Sequence, residues 1–332
     1  MNLIEKLQLA YQLIRESRQL LIIGHTSPDA DAISSMSAMI DLASGLGSEI
    51  CAYAENKPAG AYDFIPHEHL ITDQAPDDLR IFDTILILDC GAISRTAIEE
   101  RLRKLLILPG ESRPFIIEFD HHQPVETYAD LEIRLTEKAS TTEVIYQFFK
   151  INELEINKNV ANCILIGLMT DTGHFLHANS SREAIAISSE MLLAGASLPK
   201  IIDHTVHNKS FSALKVWGRA LENLKFNKDT GLAASALTTQ ELDELLPKEL
   251  REANADLFGD IVSFLASLAG VRVALLLREE GAKVKGSLRT NDEDADVAKI
   301  AQNWGGGGHK KASGFSIEGR LARTETGWKV VK

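Results

Sequence analysis

The sequence is poor in the features that mark secreted or membrane-spanning proteins. Only three cysteines occur in 332 residues, and they lie far apart with no CxxC pair, so neither a disulfide framework nor a thiolate zinc site is predicted. No apolar run reaches the roughly eighteen residues of a membrane span, and no signal peptide is recognisable. We therefore expect a cytoplasmic protein that has no membrane partner.

Positive charge is also scarce, since 35 Lys and Arg face 47 Asp and Glu, for a formal net charge of −12. A surplus of negative charge repels a long polyanion unless basic residues gather locally. Long duplex nucleic acid is therefore not an expected partner. The chain length and a hydrophobic content of 45% are sufficient for two globular domains.

The stretch LLIIGHTSPDADAISS near the N-terminus carries the first group of chemically active side chains. Leu20–Ile23 predicts a buried parallel strand, and the residues from Ala32 onward predict the start of a helix. Ligands of α/β folds lie at the strand-to-helix turns, and this turn contains His25, Asp29 and Asp31. These residues indicate a metal site, although both aspartates could instead only cap the helix.

Two further predicted strands and one predicted helix also end on aspartate or histidine residues. The predicted strand TILIL is followed by Asp89, and the predicted strand PFIIEF is followed by Asp120, His121 and His122. The apolar spacing of NVANCILIGLMTD predicts a buried helix that reaches Asp171, although this residue could be an ordinary turn aspartate. Because parallel strands present their carboxyl ends at one edge of a sheet, a single site can draw on all these segments.

The candidate ligands are numerous enough for two metal ions. A mixture of carboxylate and imidazole suits Mn²⁺ or a similar first-row ion better than a calcium cage or a thiolate zinc site. Two ions held together by carboxylates activate water and stabilise the attacking and leaving oxygens of a phosphoryl displacement. The residues thus predict phosphoester hydrolysis.

The second half of the chain predicts a smaller α/β domain, with strands at Leu232–Leu237, Val271–Arg278 and Lys283–Arg289. The glycine run Gly305–Gly308, followed by a histidine and two lysines, could bind a phosphate through backbone N–H groups and an adjacent helix start, or could be a flexible turn. A connector is predicted at Gly195–Lys209; its histidines, His204 and His207, are expected to be solvated.

Taken in order, the segments HTSPDAD, LDCG, DHH and TDTGHF resemble the four motifs of the DHH phosphoesterase superfamily. GSLR and GGGGHKKASGF resemble the DHH-associated domain, so the resemblance covers both halves of the chain. It implies an α/β protein with a DHH catalytic domain at 1–194, a linker at 195–212 and a DHH-associated substrate-binding domain at 213–332. The first domain would contain a mainly parallel sheet flanked by helices, and the active site would lie in the cleft between the domains.

The resemblance also implies roles for individual residues. Asp89 would bridge two metal ions, of which the first is held by His25 and Asp29 and the second by Asp31, His121 and Asp171. His122 would contact the substrate phosphate, and Asp120 would orient the histidine pair. The terminal phosphate of the substrate would be bound by Arg289, Gly306, Gly307, Gly308 and His309. His174 is not assigned a role.

The resemblance is closest to bacterial nano-RNases that also act as phosphatases on 3′-phosphoadenosine 5′-phosphate. It implies hydrolysis of short oligoribonucleotides to mononucleotides and of 3′-phosphoadenosine 5′-phosphate to AMP, with two Mn²⁺ ions per site and Mg²⁺ or Co²⁺ as alternatives. One alternative function is a phosphodiesterase for cyclic or linear dinucleotides such as c-di-AMP and pApA. Another is a catalytically silent nucleotide-binding module. The expected partners are short RNA or a nucleotide, with a homodimer as an option.

Overall fold

The computed structural model describes residues 1–58, 60–177, 179–207, 210–246, 257–324 and 327–331. The chain divides into two compact units, Met1–His207 and Asn208–Lys332. The predicted fold class, an α/β protein with a parallel sheet in its N-terminal part and a smaller second unit, is confirmed.

The first unit contains a six-stranded sheet in which every strand pair is parallel. Its order is β3-β2-β1-β4-β5-β6, so the chain runs outward in one direction from β1 and in the other direction from β4. The strands are β1 (Gln19–Ile23), β2 (Glu49–Tyr53), β3 (Ile71–Thr72), β4 (Thr84–Leu88), β5 (Phe115–Asp120) and β6 (Leu131–Arg134). The boundary between β1 and β4 is therefore a topological switch point, where open α/β sheets leave a crevice for ligands.

Helices cover both faces of this sheet because the strands are apolar on both sides. Leu20 and Ile22 of β1 belong to the larger core, whereas Leu21 and Ile23 belong to the core on the opposite face. The helix α3 (Glu99–Leu106) covers the smaller core. The larger core is covered by α1 (Leu3–Glu16), α2 (Ala30–Leu46), α4 (Thr141–Ile151), α5 (Lys158–Asp171), α6 (Arg182–Leu193) and α7 (Leu198–Thr205).

The segment 195–212, which we predict as a linker, is partly helical. Helix α7 lies within it, carries Pro199 in its first turn, and buries Ile201 in the core of the first unit. The division between the units, after His207, falls inside the same segment. In the described part of the chain no single helix is long and apolar enough to cross a membrane, and α6 with α7 meets that test only as a pair bent by 117°.

The second unit contains a mixed six-stranded sheet of order β11-β12-β10-β9-β8-β7, in which only β8 and β9 are parallel among the described strands. A separate hairpin is formed by the last two strands. The elements are α8 (Phe211–Glu222), β7 (Lys225–Asn227), β8 (Leu232–Leu237), α9 (Thr239–Leu245), α10 (Leu257–Ala266), β9 (Val273–Glu280), β10 (Lys283–Arg289), α11 (Val297–Gln302), β11 (Gly307–Gly308), β12 (Ala312–Glu318), β13 (Arg320–Arg323) and β14 (Trp328–Val331).

Candidate metal centre

Three neighbouring strands of the first sheet deliver ligand-type side chains to one edge. His25 follows β1, Asp89 follows β4, and His121 and His122 follow β5. Three groups of side chains have ligand atoms within 4.8 Å of one another: His25 with Asp29 and Asp89, Asp31 with His121 and Asp171, and Asp89 with His121 and His122. All predicted metal ligands are thus brought together in the first unit.

The imidazole of His25 is oriented as a metal ligand. Its Nδ1 lies 2.9 Å from the carbonyl oxygen of Thr26, which can only accept, so the ring proton is on Nδ1. The lone pair of Nε2 then faces Asp29 Oδ2 and Asp89 Oδ2, each 3.9 Å away. The Nε2 atom is buried and has no hydrogen-bond partner. A lone pair that faces two carboxylates is unfavourable unless a cation lies between them, so these three residues fit a metal ion.

His121 has the same arrangement in the second group. Its Nδ1 lies 3.3 Å from the carbonyl oxygen of Lys138, and its Nε2 lies 3.3 Å from Asp171 Oδ2 and 3.7 Å from Asp89 Oδ1. Asp89 therefore directs one carboxylate oxygen toward each histidine, because its Oδ2 faces His25. This position between the two groups agrees with the bridging role that the resemblance implies.

Burial and mutual repulsion make the ionised forms of Asp31, Asp89 and Asp171 unfavourable without a cation. Burial, together with the charges of Asp31 and Asp29, raises the pKa of Asp89 and of Asp171 well above the usual value. Burial also raises the pKa of Asp31. A bound divalent ion would reverse this effect, because it stabilises the charged form of each carboxylate. The donor set of carboxylate and imidazole fits a first-row divalent ion.

Asp120 has a different environment from the ligand groups. It is fully buried, its Oδ1 accepts a 2.7 Å hydrogen bond from the His122 backbone N–H, and the same oxygen lies 2.8 Å from His122 Nδ1. Its Oδ2 accepts from the Gly91 N–H. Burial opposes ionisation, but these hydrogen bonds and the charge of His122 lower the pKa of Asp120 to about 2. Asp120 thus orients His122 rather than joining a ligand group.

Asp29 and Asp31, which the sequence predicts either as metal ligands or as helix caps, lie at the start of α2. Asp29 is its N-cap residue, and Asp29 Oδ1 accepts a 3.0 Å hydrogen bond from the Ala32 N–H while Oδ2 faces His25. Asp31 lies inside the first turn and does not cap the helix. Capping and metal binding are therefore compatible for Asp29, because each function uses a different oxygen.

The predicted substrate-binding residues lie in the second unit. Arg289 ends β10, its guanidinium donates to the Leu288 carbonyl at 3.0 Å, and burial lowers its pKa. Gly307 and Gly308 form the short strand β11 beside β12, and His309 closes the turn by pairing its backbone with that of Ala312. These residues occupy one end of the second sheet.

The phosphate-binding alternative for the glycine run included an adjacent helix start, and among the described residues no helix begins beside the run. Helix α11 ends at Gln302, before the glycines, so its carboxyl end and not its amino end is nearest to them. The two lysines after the run donate to backbone carbonyls, Lys310 to Glu293 at 2.8 Å and Lys311 to Asp292 at 2.6 Å. Glycine is required at Gly306, where a Cβ would collide with Gly314 and Phe315. Gly306 and Gly308 therefore permit close packing of backbone against β12, whereas an added Cβ at Gly305 or Gly307 would meet no atom within 4 Å.

Comparison with protein families matches two domain models to this chain. Residues 19–168 match the DHH family N-terminal domain, and residues 243–326 match the DHHA1 domain. The chain thus contains a DHH domain followed by a DHHA1 domain. The DHH match begins at β1 and ends within α5. It therefore includes β1, β4 and β5, the three strands whose ends carry the ligand groups.

Relatives of this DHH protein align over most of its length. A protein of Thermus thermophilus named bifunctional oligoribonuclease and PAP phosphatase NrnA is 27% identical over 316 residues, which cover 95% of this chain and 89% of the relative. The crystal structure of an exopolyphosphatase-related protein from Bacteroides fragilis has 25% identity and a TM-score of 0.83, covering 95% of this chain and 92% of that one. RecJ from Thermus thermophilus in complex with Mn²⁺ has 16% identity and a TM-score of 0.52, covering 95% of this chain and 52% of that one, and shares the fold.

The structure also adds residues that sequence reasoning missed. Asp31 accepts hydrogen bonds from the backbone N–H groups of Thr141, at 2.7 Å, and Thr142, at 3.1 Å, and from the Thr142 hydroxyl at 2.8 Å. The first turn of α4 thus binds the Asp31 carboxylate, which the positive end of the helix dipole favours. A sequence signal existed: Ser140, followed three residues later by Glu143 and then by apolar residues, is typical of a helix N-terminus.

The remaining histidines lie outside the ligand groups found in the described chain. His174 Nε2 lies 2.8 Å from the Thr205 hydroxyl, and His204 stacks on Phe64 with ring centroids 4.6 Å apart. His207 is exposed and pairs with Asp203 at 3.0 Å. The expected exposure of His204 and His207 is confirmed, although His204 lies on helix α7 rather than in an open connector.

Proposed function

We propose that this DHH protein is a metal-dependent phosphoesterase that hydrolyses short oligoribonucleotides to mononucleotides and 3′-phosphoadenosine 5′-phosphate to AMP. The observation that carries the proposal is the position of Asp89, whose two carboxylate oxygens face the two histidines of separate ligand groups. The similarity to the Thermus thermophilus oligoribonuclease and PAP phosphatase supports the substrate class.

The residues would divide into two sets of metal ligands. His25 and Asp29 would hold one ion, Asp31, His121 and Asp171 would hold the other, and Asp89 would contact both. We propose Mn²⁺ for both positions, with support from the Mn²⁺ complex of the RecJ relative. Such ions supply Lewis acidity and lower the pKa of a bound water.

The protein's own residues fix the geometry of this centre. The first turn of α4 holds Asp31 through three hydrogen bonds and Asp89 through the Thr141 hydroxyl, so both carboxylates keep one orientation. Asp120 fixes the ring of His122 beside Asp89, with His122 Nδ1 3.5 Å from Asp89 Oδ1. A fixed imidazole at this place suits a contact to a substrate phosphate oxygen. Arg289 and the Gly306–His309 loop would bind a second phosphate of the nucleotide.

The proposal is tested by hydrolysis, with added Mn²⁺, of pApA, a five-nucleotide RNA, cyclic di-AMP and 3′-phosphoadenosine 5′-phosphate. We expect turnover of pApA, the RNA and the bisphosphate, and loss of all three activities in Asp89→Ala. Asp73→Ala, which removes an exposed carboxylate of the same unit, is the matched control and should keep full activity. Activity confined to cyclic or linear dinucleotides, or a fully active Asp89→Ala variant, would contradict the proposal.

A further inference from the structure

An arginine lies beside the metal centre in the turn that follows β4. Arg95 belongs to a short 3₁₀ turn, Ile93–Thr96, a few residues after Asp89. A Cβ added at Gly91 would lie 3.6 Å from Arg95 Nη1 and 3.3 Å from the Cβ of His122. The guanidinium and His122 are therefore close neighbours, and the Nδ1 atom of His122 is 3.5 Å from Asp89 Oδ1.

The backbone around Arg95 fixes this turn relative to the first ligand group. The Arg95 carbonyl accepts a 2.7 Å hydrogen bond from the Thr26 N–H, and the Arg95 N–H donates to the Ala92 carbonyl at 3.1 Å. The carbonyl of Thr26 lies 2.9 Å from Nδ1 of His25. Thr26 therefore joins the turn after β4 to the His25 ring, at the boundary between β1 and β4 where α/β sheets bind their ligands.

The Arg95 side chain is half-buried, and its guanidinium forms no hydrogen bond or ion pair with any of the described residues. Two other arginines of the same unit pair with a nearby carboxylate at 2.6 Å, Arg113 with Asp130 and Arg134 with Glu118. A guanidinium carries five N–H donors in a planar fork, and those of Arg95 are available to a ligand. An anion with two neighbouring oxygens matches this fork.

The charge of Arg95 acts on the first ligand group although no ion pair is formed. Burial raises the pKa of Asp29, but His25, through a hydrogen bond and its charge, and the charge of Arg95 are among the effects that lower it to about 2. The same positive charge repels a metal ion at this place, because like charges disfavour each other. Arg95 therefore opposes metal binding, and its position is explained by an anionic ligand of the metal-loaded centre.

We propose that Arg95 binds the phosphate group that reacts at the metal centre, through two parallel hydrogen bonds to its non-bridging oxygens. The proposal rests on the proposed phosphoesterase function and extends it, because it adds a cation of the first unit at the reacting phosphate. In phosphoryl transfer the charge of the transition state is spread over these oxygens, and a preorganised guanidinium stabilises that charge. Arg289, by contrast, would bind a phosphate that does not react.

Steady-state hydrolysis of pApA tests the proposal. We expect Arg95→Gln to lower kcat at least about 100-fold and to change KM less than kcat, because the interaction is strongest in the transition state. Arg95→Lys keeps the charge without the fork and should lie between Arg95→Gln and the wild type. Arg18→Ala is the matched control, since it removes an exposed arginine directly before β1, at the opposite edge of the sheet, and it should keep full activity. An Arg95→Gln variant with the kcat of the wild type would overturn the proposal.

Binding measurements separate this proposal from the proposed function. By calorimetry we expect Arg95→Gln to bind Mn²⁺ at least as tightly as the wild type, because a repelling charge is removed. The Mn²⁺-loaded variant should bind inorganic phosphate at least about tenfold more weakly, since charge-assisted hydrogen bonds are lost. Arg95→Lys is measured in the same way as a second variant, and circular dichroism establishes that each variant is folded.

The two kinds of failure differ in these measurements. If the wild type binds phosphate but hydrolyses none of the four substrates, the proposed function fails while the phosphate affinity still tests Arg95. Weaker Mn²⁺ binding in Arg95→Gln would show that Arg95 supports the metal ligands, and it would overturn the proposal. An unchanged phosphate affinity in this variant would overturn it as well.

Discussion

The hydroxyl of Thr141 donates a 2.7 Å hydrogen bond to Asp89 Oδ1 from the first turn of α4. The backbone N–H of the same residue donates to Asp31 Oδ2. One threonine thus fixes two carboxylates that follow different strands. Its hydroxyl keeps Asp89 in the orientation in which each oxygen faces a different histidine.

We expect Thr141→Val to weaken Mn²⁺ binding by about 10- to 100-fold, because loss of an outer-shell hydrogen bond frees the orientation of a ligand. The measurement is a Mn²⁺ titration by calorimetry, together with the Mn²⁺ dependence of hydrolysis. Thr141→Ser keeps the hydroxyl and should restore most of the affinity. Equal Mn²⁺ affinity in the valine variant and the wild type would show that the hydroxyl does not position Asp89.

Gly167 of α5 permits the close approach of three helices at the metal centre. An added Cβ would collide with Asp31 Oδ1 and with the side chain of Thr142. We expect Gly167→Ala to lower the free energy of unfolding by about 1–3 kcal/mol and to weaken Mn²⁺ binding. Denaturant unfolding and metal titration measure the two effects.

The control for this substitution is Gly45→Ala in α2, where an added Cβ meets no atom within 4 Å. There the change should raise stability by up to about 1 kcal/mol, since alanine is the better helix former. Similar effects at both glycines would contradict the packing argument.

The stability that Asp31, Asp89 and Asp171 give the metal-free protein should fall as the pH rises above about 4, the ordinary pKa of a carboxyl group. Burial raises the pKa of Asp89, Asp171 and Asp31 in the folded state. Groups with a raised folded pKa stabilise the fold below their unfolded pKa, near 4, and this contribution is lost as the pH rises through the folded value. Thermal unfolding in the presence of a chelator measures the slope.

Saturating Mn²⁺ should remove this pH dependence, and at about 100 times its Kd it should add about 2.7 kcal/mol of stability. Asp89→Asn supplies the comparison, because it removes one buried charge. Its metal-free form should melt above the wild type at pH 8 and gain less from Mn²⁺. A metal-free wild type that is more stable at pH 8 than at pH 5 would refute the assigned direction.

Arg289→Ala should raise the KM for pApA about tenfold or more and leave kcat within a factor of a few, if Arg289 binds a phosphate that does not react. The matched control is Lys285→Ala, which removes an exposed cation from the same face of β10. Steady-state kinetics with pApA give the KM and kcat of both variants, and only the Arg289 variant should show the raised KM. A fall in kcat at unchanged KM would place Arg289 at the reacting phosphate instead.

The strands that carry the metal centre were predictable because they are buried on both faces. TILIL is a nearly continuous apolar run, PFIIEF is interrupted only by the buried Glu118, and they form β4 and β5 with shifts of at most one residue. Strand β6 was not identified, since its sequence LEIR alternates apolar and charged residues over only four positions at a sheet edge.

The contribution of α4 could not be predicted because it depends on an approach between distant segments. Thr141 and Thr142 lie 110 and 111 residues from Asp31, and nothing local distinguishes them from threonines that only begin a helix. The glycine run illustrates a second limit. Its composition indicated either phosphate binding or a flexible turn, and only the fold shows that Gly306 and Gly308 pack against the backbone of β12.

The parallel sheet makes metal affinity a measure of strand register. Ile87 of β4 pairs with Ile23 of β1, and Leu88 pairs with Phe119 of β5, directly before the ligands. A slip of one residue moves a strand by about 3.3 Å and turns its side chains to the opposite face, so Asp89 would no longer reach His25 and His121 together. Under the proposed assignment of ligands, full metal affinity would arise only once β1, β4 and β5 are aligned, and a bound ion would report the completion of folding in this unit.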